Sequence, residues 1–97
     1  MSSNDPFASQ LSECCQAIHR AESRFDGARE VASDDDIERE RLDYIQTDQE
    51  MSARIREIGR DLHAQGGEAR LQDVLSHVER QHRGTVRVKW KGLLGSR

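Results

Sequence analysis

Cys14, Cys15, His19 and Glu22 lie within nine residues of one another. Cys15, His19 and Glu22 stand at i, i+4 and i+7, a helical spacing that could seed a Cys/His metal site, because thiolate and imidazole are the ligands zinc prefers. A single helix cannot close a tetrahedron, however. The sequence holds no Cys-x-x-Cys, no second histidine four residues from the first and no matching ligands in the segment that follows. The plainer reading is a small buried Cys14 and a half-buried Cys15 packed as apolar groups, with His19 on the outer side of the helix. His63, His77 and His82 stand among charged residues and read as solvated. Adjacent cysteines on a helix point about 100° apart and seldom pair, so the expectation is a reduced, cytoplasmic chain. No nucleophile–base pair and no glycine-rich phosphate loop occurs. No catalytic residue is assigned, and the chain reads as non-enzymatic.

Helices must position these groups. Phe7, Leu11, Cys14, Ile18, Ala21, Phe25, Ala28 and Ala32 follow one another at alternating steps of four and three, the narrow apolar seam of a coiled-coil-like helix. Pro6 suits a first turn, with Asn4 or Asp5 as caps. "ASDDDIERE" interrupts. Ser33 or Asp34 can cap a new helix, and Asp35, Asp36 and Glu38 favour its positive end. The second seam is Ile37, Arg41, Tyr44, Asp48, Met51, Ile55, Ile58 and Leu62, ending at "QGG", where Gly66 is the expected left-handed cap. Folded back, the seams match layer by layer: Phe7 with Leu62, Leu11 with Ile58, Cys14 with Ile55, Ile18 with Met51, Phe25 with Tyr44, Ala32 with Ile37. The expectation is an antiparallel helical hairpin over about 6–65. Two layers break the apolar rule, Ala21 with Asp48 and Ala28 with Arg41. One flank of the seam (Glu40, Thr47, Arg54, Asp61) is polar. The other (Ala8, Cys15, Glu22, Leu42, Ile45, Ser52, Gly59) is too apolar to face water and expects further helices.

The remainder, about 68–97, reads as a third helix and a basic tail within one all-α domain spanning 1–97. Leu71, Leu75 and Val78 share a face, and the helix extends to about Arg83. Val86, Val88 and Trp90 alternate as in a strand, yet Val86, Trp90 and Leu93 continue a helical face. A lone strand would have no partner, so helix is favoured. Leu, Ile, Val and Phe total 19 of 97 residues and the net charge is −3, a composition that suits long amphipathic helices. No apolar run approaches the roughly 20 residues of a membrane span, and no signal peptide is seen. Residues 1–50 carry 13 acidic and 5 basic side chains, whereas residues 80–97 carry 6 basic and no acidic ones. That tail, with Arg83, Arg87, Lys89 and Lys91, could meet an acidic partner. As a nucleic-acid signal it is weak, since only Trp90 is interleaved with it.

The chain resembles a bacterial ferritin-like four-helix-bundle family of unknown function. "LSECCQAIHRAESRFDGA" is similar to that family's opening helix, with Leu11, Glu22, Phe25 and Ala28 in register. "AQGGEA" matches the end of its second helix. "HRGTVRVKWKGLLG" matches its continuation at His82, Arg83, Gly84, Lys89 and Gly95, with Thr85 in place of the family's tryptophan. The likeness implies a helical tail, no established activity, and a half-bundle completed by oligomerisation, most simply a homodimer, because family members carry a second helical pair.

Ferritin-like folds gather carboxylates at the centre of the bundle, and such oxygen ligands suit iron or manganese. The candidates here are Glu22 and Asp48; Met51 takes the histidine's place in the Glu-x-x-His spacing. The alternative is a polar layer in which Arg20, Arg24 or Arg41 neutralises them, since an unpaired buried carboxylate is costly. The leading functional expectation is a non-catalytic, self-associating helical protein with no cofactor, whose partner-binding residues are Leu42, Ile45, Cys15, Arg83, Arg87, Lys89 and Lys91. The alternatives are an iron- or manganese-binding carboxylate bundle, for storage or oxidation, and an adaptor acting through the basic tail.

Overall fold

A computed structural model describes residues 6–94; the candidate caps Asn4 and Asp5, and Gly95 and Arg97 of the tail, lie outside them. The described residues form three helices and no strand: α1 (Pro6–Val31), α2 (Asp34–His77) and α3 (Arg80–Lys89). α1 and the first part of α2 make the antiparallel hairpin. Phe25 stacks on Tyr44 with ring centroids 6.0 Å apart, and Arg54 donates to Gln10 Oε1 at 3.4 Å near the other end. Ser33 stands at the N-cap of α2, but its hydroxyl bonds the Asp36 carboxylate (3.3 Å) rather than a backbone N–H. Asp34, Asp35 and Asp36 occupy the first turn, where the helix dipole favours negative charge.

Burial along the seam is graded. Leu11, Cys14, Ile18, Ala21, Ile55, Ile58 and Leu62 are buried. Phe25, Ala28, Ile37, Tyr44 and Met51 are only half-buried. The cause is the path of the chain after the hairpin. α2 turns sharply at "GG", and the positive φ falls on Gly67 (φ 68, ψ −157), one residue later than the cap expected at Gly66 (φ −156, ψ 15). Only glycine adopts the Gly67 geometry without strain. Residues 68–77 then run back over the open end of the hairpin and bury Leu71, Val74 and Leu75 against it.

A helix continuous to Arg83 was expected; instead it stops at His77. Val78 (ψ 141) and Glu79 (ψ 138) are extended before α3 begins. Arg83 stabilises this break. Its Nε donates to Val78 O (2.8 Å) and its Nη2 to Ser76 O (2.9 Å), carbonyls at the end of α2 that the interrupted helix does not bond. Beyond the break α3 crosses the hairpin obliquely. Its start lies beside α1, where Cys15 Sγ is 3.8 Å from His82 O and the His19 and His82 ring centroids are 5.7 Å apart. Its end lies beside α2, where Trp90 Nε1 donates to Ile55 O at 2.8 Å. Trp90 is wholly buried, and the space for its ring exists because residue 59 is glycine: a Cβ there would fall 2.4 Å from Trp90 Nε1. After Lys89 the chain turns through to Leu94. The segment that alternates like a strand is therefore helix as far as Lys89.

Candidate functional site

The apolar flank of the hairpin is one stripe at heptad spacing, and the structure divides it in two. Ala8, Cys15 and Ser52 are 4%, 0% and 4% exposed, and Gly59 is buried beside them. They are covered by residues 68–77 and by α3, whose His82, Val86 and Trp90 face inward. The same stripe continues toward the α1–α2 turn as Glu22, Leu42 and Ile45. There nothing covers it: Leu42 is 55% and Ile45 37% exposed. The boundary between the halves is α3, whose Lys89 reaches back so that Nζ lies 3.8 Å from Asp48 Oδ1.

This division corrects several expectations. Cys15, read as part of the partner-facing flank, is enclosed within its own chain and has no surface to offer. Burial and the neighbouring Cys14 push its thiol up to about 11, and burial likewise raises Cys14; both sulfurs are free and protonated at neutral pH. His82 is not solvated but 3% exposed, because α3 lies against α1 along that side. Its Nδ1 and the Ser52 hydroxyl are buried without a hydrogen-bond partner. With His19, Gln16, Arg20 and Gln81 it lines a shallow depression of about 530 Å³. Arg83 caps carbonyls rather than facing a partner. Arg87 and Lys91 remain exposed.

The carboxylates singled out from sequence each have a partner other than one another, and neither is buried. Glu22 is 49% exposed and 3.8 Å from His19 Nδ1; Asp48 is 37% exposed and neighbours Lys89. The cation beside Asp48 thus comes from α3, not from the arginines expected to neutralise that layer. Arg41 turns out of the seam and clasps Glu38 at 3.1 and 2.6 Å, and Arg24 pairs with Asp43 at 3.4 Å. Burial raises the Tyr44 hydroxyl, and the negative charges of Glu22, Asp48 and Asp26 raise it further. Among the described residues no group of three or more His, Cys, Asp or Glu side chains is placed to hold a metal ion. No described helix is long and apolar enough to cross a membrane.

The side of α3 that faces the open half of the flank carries a second shallow depression, about 520 Å³, lined by Gln81, Gly84, Thr85, Val88 and Lys89. Val88, 68% exposed, stands at its rim. Sequence reasoning missed this feature. Its signal was Gly84 beside Val88 on a stripe that points away from Val86 and Trp90. No family model, curated protein or solved structure matches this chain.

Proposed function

We propose that this protein is a non-catalytic helical protein that works by associating with copies of itself, a ferritin-like half-bundle completed by oligomerisation. One observation carries the reading: a single heptad stripe is buried over one half by the chain's own C-terminal segment and bare over the other. A stripe built to be covered, with Leu42 and Ile45 at its uncovered end, suits a contact with another protein. Covering a side chain of this size contributes roughly 1.5–3 kcal/mol when burial is complete, a sizeable share of a domain stability of roughly 5–15 kcal/mol. Sedimentation velocity and light scattering across micromolar concentrations test it. The expected result is an oligomer, most simply a dimer; a stable monomer throughout would refute the reading.

A second reading, an iron- or manganese-binding carboxylate bundle, draws on Glu22 and Asp48, whose negative charges both raise the Tyr44 hydroxyl. A symmetric assembly could join such groups from two chains, and carboxylate oxygens suit those metals. It requires a metal-dependent rise in melting temperature that Glu22→Ala abolishes; an unshifted wild-type melt would sink it.

A further inference from the structure

We draw no further inference here: the strongest candidate, the bare apolar face at Leu42 and Ile45 beside the α1–α2 turn, carries nothing beyond the reading above, because nothing in the structure shows what covers it.

Discussion

Replacing Gly59 by alanine probes the contact that holds α3 to the hairpin. Inside an exposed helix the change should stabilise by about 1 kcal/mol, since glycine is the poorer helix former. Here the new Cβ would fall 2.4 Å from Trp90 Nε1, 2.7 Å from Trp90 Cδ1 and 2.9 Å from a Leu93 methyl. Ordinary contact lies about 1 Å further out, so the indole has to withdraw. Withdrawal breaks the 2.8 Å bond to Ile55 O in a site where Trp90 is wholly buried. Overpacking a core costs about 1–3 kcal/mol, and losing a buried hydrogen bond adds about 1 kcal/mol. Against the helix gain, the net expectation is a destabilisation of about 1–3 kcal/mol. For a domain of this size each kcal/mol moves the melting temperature by about 4–8 °C. Thermal melts at matched protein concentration measure it. Trp90 is the sole tryptophan, so its fluorescence should shift to the red as the ring gains water. A Gly59→Ala protein more stable than wild type, with unchanged emission, would refute the seating of Trp90 against residue 59.

Gly84→Ala is the matched control: nothing lies within 4 Å of the added Cβ, so the same substitution should raise stability by about 1 kcal/mol in a denaturant titration; a clear loss would mean residue 84 is not helical. Arg83→Ala should destabilise by about 1–2 kcal/mol, because Val78 O and Ser76 O lose their guanidinium donors, and Arg83→Lys should restore only part of it; a neutral Arg83→Ala melt would remove the cap from the account of the break. Cys15 gives a pH signature. With its thiol pushed up to about 11 from 9.0, the folded state holds its proton longer than the unfolded chain does, so this contribution is complete below about pH 9 and is lost as pH rises toward 11. Stability in that window should fall less in Cys15→Ala than in wild type, and the native thiol should react with alkylating reagents only on unfolding.

The hairpin was legible in the sequence because a helix writes its period into neighbouring residues. Steps of four and three from Phe7 to Ala32 and from Ile37 to Leu62 define both helices, and their matched layers place Phe25 on Tyr44, where the structure has them stacked at 6.0 Å. "GG" marked the chain reversal for a local reason as well, since only glycine takes the backbone angles seen at Gly67. The flank at Leu42 and Ile45 could also be read, as an apolar stripe beside the seam.

Which half of that stripe stays bare was decided by tertiary structure alone. The inward face of the third segment runs through Leu71, Leu75, Val78, His82 and Val86 with no proline or glycine at 78–79 to announce a break. The break rests on contacts made at a distance. Arg83 bonds carbonyls five and seven residues behind it, and Trp90 enters a notch at Gly59, 31 positions earlier in the chain. Those contacts swing α3 across the hairpin from α1 to α2. They bury His82, which its charged neighbours had placed at a surface, enclose fully a Cys15 expected to be half-buried, and bring Lys89 to Asp48. Periodicity tells which face of a helix seeks cover; what covers it depends on the direction of the covering segment, and that is a property of packing between residues far apart in sequence.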